Sequence, residues 1–290
     1  MSYTENYQKW LDFAELPAYL HDELVAMDEK TKEDAFYTNL EFGTAGMRGL
    51  IGAGTNRINI YVVRQATEGL AQLIDSKGEE AKKRGVAIAY DSRHFSPEFA
   101  FESAQVLAAH GIKSYVFESL RPTPELSFAV RHLHTFAGIM VTASHNPAPF
   151  NGYKVYGEDG GQMPPADADA LTDYIRAIEN PFTVQLADLE ESKASGLIEV
   201  IGENVDAEYL KEVKGVNINQ DLINEYGRDM KIVYTPLHGT GEMLARRALA
   251  QAGFEAVQVV EAQAVPDADF STVKSPNPEN QEAFALAEEL

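Results

Sequence analysis

The sequence predicts an α/β protein: a mixed, mainly parallel sheet flanked by helices, followed by a second α/β unit of the same type. Short apolar runs at Val86–Tyr90, Lys113–Phe117 and Phe136–Val141 alternate with stretches of helical length. That strand–helix–strand order implies right-handed crossovers and a parallel sheet. The same order returns later in the chain. Lys231–Tyr234 precedes a glycine-containing loop, a helical stretch and Val257, Val259 and Val260.

The N-terminal 40 residues read as peripheral helices. Tyr7, Leu11 and Ala14 share a face, Pro17 ends that helix or starts the next, a second runs over 18–26 and a third starts at Thr31. Glu41–Gly49 holds three glycines and Arg48 and reads as a loop. A helix over 56–76 carries Ile60, Val63, Leu70, Leu73 and Ile74 as its apolar stripe. Ser96-Pro97-Glu98 is a helix start, with serine as cap and proline at the first position. Further helices are expected over 124–132 and 166–179, and Asp188–Lys193 as a polar passage onward. The second unit begins near Asp206 with a helical segment through Val213. Its strand 231–234 should be buried, and Gly253 should stop its helix over 242–252.

At 290 residues the chain has room for two domains, and its 44% hydrophobic and 24% charged residues are ordinary for a globular protein. No apolar stretch approaches the ~20 residues of a membrane span, and Met1–Tyr19 has no basic-then-apolar leader pattern. The absence of cysteine excludes disulfides and thiolate metal sites and suits a cytoplasmic protein. A net charge of -21, from 45 acidic and 24 basic residues, argues against nucleic-acid and anionic-membrane partners. An anionic small molecule would need a few cations and backbone N–H groups gathered in one cleft.

The chemistry concentrates in Thr142-Ala143-Ser144-His145-Asn146-Pro147, where an apolar strand stops. Small residues permit a tight turn, and Pro147 prevents the strand from continuing. Ser144 is left exposed at a strand's carboxyl end, where open α/β sheets place their sites. Neighbouring side chains on an extended backbone point apart, so His145 should be badly placed to deprotonate Ser144. The loop after Tyr90 lies at the same sheet edge, so Arg93 either approaches Ser144 or pairs with Asp91. Asp267 and Asp269, beside Pro266, read as turn residues rather than metal ligands.

The hexapeptide, followed by Asn151-Gly152-Tyr153-Lys154, resembles the active-serine loop of the α-D-phosphohexomutases, the phosphoglucomutase and phosphomannomutase superfamily. Gly43-Thr44-Ala45-Gly46-Met47-Arg48-Gly49 and Thr235-Pro236-Leu237-His238-Gly239-Thr240-Gly241 are similar to further loops of that family and of its bacterial phosphoglucomutase and phosphopentomutase-like branch. The resemblance implies interconversion of glucose 1- and 6-phosphates through a phosphoserine and glucose 1,6-bisphosphate. It implies catalytic roles for Ser144, His145, Lys154 and Arg48. Phosphate or substrate contacts are implied for Thr44, Arg93, Asn146 and His238. It also implies Mg2+, held in part by the phosphate on Ser144, and small sugar phosphates as partners.

The family's metal loop, with its alternating aspartates, is not found in these residues. The resemblance therefore makes this an N-terminal portion, inactive alone, with a phosphoserine domain over 1–200 and an incomplete second domain over 201–290. The alternatives are a phosphomannomutase or phosphopentomutase of the same family, or a non-catalytic phosphosugar-binding module. A serine hydrolase comes last, because no Gly-x-Ser-x-Gly elbow is present.

Overall fold

The computed structural model describes residues 2–43 and 46–290. One sheet contains β1 (Met47–Leu50), β2 (Val86–Tyr90), β3 (Ser114–Phe117), β4 (Ala137–Val141), β5 (Phe150–Tyr156) and β6 (Ile198–Ile201), in the spatial order β1-β5-β4-β2-β3-β6. The four strands β4, β2, β3 and β6 are parallel, whereas β5 pairs antiparallel with β4 and β1 antiparallel with β5 on one side. The sheet is thus mixed and mainly parallel, as the alternation of apolar runs predicts.

Two strands depart from the sequence reading. Met47–Leu50, expected as part of a loop, pairs along β5. Ile198–Ile201 forms the opposite edge, on β3. The polar stretch before it is a helix, Leu189–Ala194, whose first turn is capped by Asp188 accepting from the Glu191 amide at 2.9 Å. A capping aspartate starts such a helix despite its lack of apolar residues.

The strand period of two divides β2 between two cores. Val86, Ile88 and Tyr90 face the helices Ile60–Lys77 and Ser96–Ala109, while Ala87 and Ala89 face the helix Thr123–His132. With both faces covered, the strand is buried throughout. Small residues set the spacing on the second face: a Cβ on Gly138 would lie 2.6 Å from Val130 Cγ2. Burying one large apolar side chain contributes about 1.5–3 kcal/mol.

The N-terminal helix Tyr3–Leu11 begins with a capping box between Ser2 and Glu5. Its anchor is Trp10, which packs edge-on against Phe36, Tyr61 and Phe182. Ala14 lies beyond the helix end and is exposed, contrary to the expected stripe. The third helix, Glu29–Phe36, starts ahead of Thr31 because Asp28 caps it. The helix Ile60–Lys77 is capped by Asn59, whose Oδ1 accepts from the amides of Tyr61 and Val62.

A second correction concerns Ser96. It does not cap its helix: Phe95 holds that position in the left-handed region, at φ +64°, and Ser96 is the first helical residue. The Ser96 hydroxyl donates instead to Asp91 at 2.7 Å.

After β6, the helix Glu203–Gly215 packs against both Thr123–His132 and Glu242–Ala252. The second sheet pairs β7 (Ile232–Tyr234) with β8 (Val257–Val259) in parallel. Gly253, at φ +110°, ends the intervening helix as expected. β7 is not buried: Val233 is 41% exposed and its neighbours are half-buried. Among the described residues this sheet has only two strands, too few to cover both faces.

Candidate active site

β2 and β4 are adjacent and parallel, with Tyr90 in register with Val141, so their next residues, Asp91 and Thr142, leave the sheet side by side. Thr142 Oγ1 donates to Asp91 Oδ2 at 2.6 Å and accepts from the Ser144 amide at 2.9 Å. Ser144 then turns into the left-handed region, at φ +57°. An L-residue other than Gly or Asn occupies that region only at a cost in free energy, so the surrounding contacts must hold it there.

Arg93 is the main contact. Its side chain is fully buried, and its two terminal nitrogens donate to four carbonyls of one loop. They reach Ser144 at 2.8 Å, Asn146 at 2.6 Å, and Pro147 and Phe150 at 3.0 Å each. Nε faces Asp91 Oδ2 at 3.3 Å. Both sequence alternatives are therefore realised, since Arg93 approaches the serine loop and pairs with Asp91. The phosphate-binding role is not supported, because the fork is occupied by backbone and shielded from solvent. Its own burial, in a water-poor site, pulls the Arg93 pKa below its usual value despite Asp91.

Asn151 was missed by sequence reasoning. It is buried, accepts from the Gly152 amide at 2.7 Å, and donates to the His94 carbonyl and Ser96 Oγ. It thereby ties β5 to the loop after β2. The signal available was its place directly before Gly152-Tyr153-Lys154. Gly152 follows where two strands close in: a Cβ there would lie 2.5 Å from the Thr142 carbonyl oxygen.

On the exposed side stand Ser144, His145, Arg48 and Lys154. The left-handed turn removes the extended-backbone premise of the expectation for His145. The backbone is not extended here, and His145 Nδ1 lies 3.4 Å from Ser144 Oγ. Among the described residues, no carboxylate is bonded to His145, so nothing orients it as a triad base. Arg48 arrives opposite Gly152 in the β1–β5 pairing and donates to Asn146 Oδ1 at 2.8 Å. Asn146 thus positions Arg48, with its own backbone carbonyl on Arg93. Lys154, paired with Met140 across β5 and β4, is half-buried. Burial, reinforced by the positive charge of Arg48, lowers its pKa below the ordinary lysine value. Among the described residues neither cation has a carboxylate within salt-bridge distance. In a chain of net charge -21, two cations without a carboxylate partner on the strands beside the serine loop are a local concentration of positive charge.

A cleft of about 260 Å³ opens at Ser144, with Ser92 and Thr123 on one wall and Gly239, Thr240 and Phe270 on the other. His238 does not face it. Its Nδ1 pairs with the Val265 carbonyl at 2.9 Å and its Nε2 with Thr272 Oγ1 at 2.8 Å, inside the second unit. Both ring nitrogens are thereby used, so its neighbours Gly239 and Thr240 line the cleft in its place. Thr44 lies outside the described residues.

Asp267 behaves as a turn residue. It accepts from the Ser271 hydroxyl and from the amides of Ser271 and Asp269, and these bonds, led by the hydroxyl, hold its pKa down at about 2. Asp269 reaches across to His94 at 2.7 Å. Among the described residues no group of three or more His, Cys, Asp or Glu side chains could hold a metal ion. The nearest carboxylate to the serine loop, Asp91, is enclosed by its own donors. The residues described do not form a magnesium shell. No described helix is long and apolar enough to cross a membrane.

Comparison with known proteins adds independent findings. Residues 39–182 match the phosphoglucomutase/phosphomannomutase alpha/beta/alpha domain I, and residues 207–290 match domain II. A phosphoglucomutase of Staphylococcus haemolyticus is 41% identical over 274 residues, covering 93% of this chain and 48% of that protein. One from Staphylococcus epidermidis is 40% identical, covering 89% and 46%. The chain spans about half the length of the curated relatives it matches. Among solved structures, a putative phosphomannomutase from Thermus thermophilus has a TM-score of 0.69 at 24% identity, covering 86% of this chain and 51% of that one. Parafusin from Paramecium scores 0.62 at 20% identity, covering 88% and 47%, which supports the fold alone. Two successive domains of one family, matched in order along most of the chain, identify this protein as a member of the phosphoglucomutase/phosphomannomutase family.

Proposed function

We propose that Ser144 is the phosphoryl carrier of a phosphoglucomutase. Phosphorylated Ser144 gives its phosphoryl group to the free hydroxyl of glucose 1- or 6-phosphate. The resulting glucose 1,6-bisphosphate reorients and returns its other phosphoryl group to Ser144. The observation that carries this reading is the presentation of Ser144, left-handed and exposed, with Arg48 and Lys154 on the same side. Transfer of this kind depends on positioning and charge stabilisation. Arg48 supplies a planar donor fork for phosphate oxygens. Lys154, with its lowered pKa, is suited to exchange a proton with the sugar hydroxyl. His145, near Ser144 Oγ, takes or returns the serine proton.

The preference for glucose rests on the names of the staphylococcal relatives. In this reading the chain comprises a phosphoserine domain over about residues 1–200 and a second α/β domain over 201–290. A join at about residue 200 would lie at the end of β6, just ahead of the helix Glu203–Gly215. A cytoplasmic location and small sugar phosphates as partners belong to the same reading. Mg2+ would neutralise phosphate charge in the whole enzyme. The described residues do not supply its shell, so every step above uses this chain's own groups.

The test is Ser144→Ala in the whole enzyme, which should reduce glucose phosphate interconversion to background. Retained turnover would refute the assignment.

A further inference from the structure

We propose that Phe270, in the second unit, is a positioning residue for Ser144, acting through Arg93. The inference rests on the reading of Ser144 as phosphoryl carrier, and it names what holds that serine in place. The edge of the Arg93 guanidinium is consumed by four carbonyls of the serine loop. What remains is the flat face, and the Phe270 ring lies 5.0 Å from Arg93 Cζ. A guanidinium so placed is attracted by an aromatic face, more strongly when water is excluded. Phe270 is buried and also walls the cleft at Ser144.

The second unit is built to deliver that ring. Phe270 sits at φ +50°, a conformation that a bulky residue adopts only when its surroundings enforce it. Asp267 enforces it by accepting from the amides of Asp269 and Ser271 on either side. The same turn makes a second link, from Asp269 to His94, the residue after Arg93. The turn over 267–271 therefore presses on the short segment that grips the serine loop. When it is seated, Arg93 is held between an aromatic face and the loop carbonyls, and Ser144 stays in its left-handed conformation. When it lifts, Arg93 loses one wall and gains access to water, and the loop carbonyls lose a fixed partner. The presentation of Ser144 thus depends on the docking of the second unit.

Hydrogen exchange of the 290-residue chain, measured by mass spectrometry, tests this through the bonded amides of Ser144, Asn146 and Phe150. Phe270→Leu keeps apolar bulk but removes the aromatic face. It should speed exchange in the peptide over 142–150 about tenfold while leaving the helix Ile60–Lys77 unchanged. Phe270→Tyr keeps the face and should restore wild-type exchange. Asp269→Ala, a change at an exposed residue, should speed exchange over 91–96 and 142–150 by a smaller factor. Loop protection in Phe270→Leu equal to wild type would overturn the proposal, as would a uniform rise across the protein. Phosphoryl uptake at Ser144 is read separately, in the whole enzyme carrying the same substitutions. A loop that loosens while Ser144 never takes phosphate would retain the positioning role and reject the carrier reading.

Discussion

Glu125→Gln should stabilise the protein at neutral pH and not in acid. Glu125 lies in the helix Thr123–His132 and is fully buried, and its two oxygens have no hydrogen-bond donor among the described residues. Beside it, buried Asp206 takes both Nε and Nη2 of Arg121 at 2.8 Å. Arg121 Nε is 3.7 Å from Glu125, too far for a hydrogen bond. Arg247 stands 3.7 Å from Asp206 but is held by both oxygens of Glu203, so the two buried carboxyls share mainly Arg121, and charging both is disfavoured. Burial, then contact with Asp206, raises the Glu125 pKa well above the carboxylate range. Burial also opposes ionisation of Asp206, but its bonds to Arg121 and Glu125 outweigh this and lower its pKa. Glu125 therefore folds as the neutral acid and donates its proton to Asp206.

The sign follows from proton uptake. Unfolded Glu125 titrates near 4.5, so at pH 7.5 folding must bind a proton. With 1.36 kcal/mol per pH unit, this costs on the order of 4 kcal/mol at pH 7.5 and under about 1 kcal/mol at pH 5. The contribution of Glu125 is thus full below pH 4.5 and falls as pH rises toward its folded pKa. Glutamine needs no proton and can donate to Asp206, but its second N–H goes unmatched at about 1–2 kcal/mol. The net expectation is a gain of about 2–3 kcal/mol at pH 7.5 and a loss of about 1 kcal/mol at pH 5. Urea unfolding followed by the fluorescence of Trp10, in the core of the same unit, measures both. A stability difference that is the same at the two pH values would refute the reasoning.

Other groups make separate predictions. Lys154→Arg keeps the charge but cannot release a proton, so phosphoryl exchange between Ser144 and glucose 1,6-bisphosphate should slow by on the order of 10². Wild-type exchange in that variant would leave Lys154 a purely electrostatic role. His110 bridges Glu68 at 3.0 Å and Asp75 at 2.6 Å, and these bonds, led by that to Glu68, raise its pKa to about 9. Its stabilisation is present below pH 6.5 and lost as pH rises to about 9. For this partly solvated site that amounts to about 1–2 kcal/mol after screening. His110→Gln should flatten the fall in stability across that window, measured by urea unfolding.

The serine loop was legible in the sequence because its causes are local. An apolar strand, two small residues and Pro147 dictate a turn at a strand's carboxyl end, and β2, β4 and their crossover helices follow from periodicity. What escaped depends on contacts between distant segments. The left-handed backbone at Ser144, which brings His145 alongside, arises from Thr142 and from Arg93, 51 residues away in sequence. Arg93 looked like a phosphate ligand because a guanidinium suits carbonyls and phosphates equally, and only burial separates the two. His238, given a substrate contact by the resemblance of its loop, is turned inward by Val265 and Thr272. β1 and β6 are four-residue edge strands whose formation depends on the neighbour each one meets.

The central claim is that Ser144 carries the phosphoryl group. Glucose 1,6-bisphosphate labelled with ³²P is incubated with the whole enzyme, the protein is separated from sugar, and the labelled peptide is sequenced by mass spectrometry. The account predicts label on Ser144 alone, and its quantitative release to glucose 6-phosphate on a chase with unlabelled sugar phosphate. Label on another residue, or label on Ser144 that no sugar phosphate removes, would contradict it.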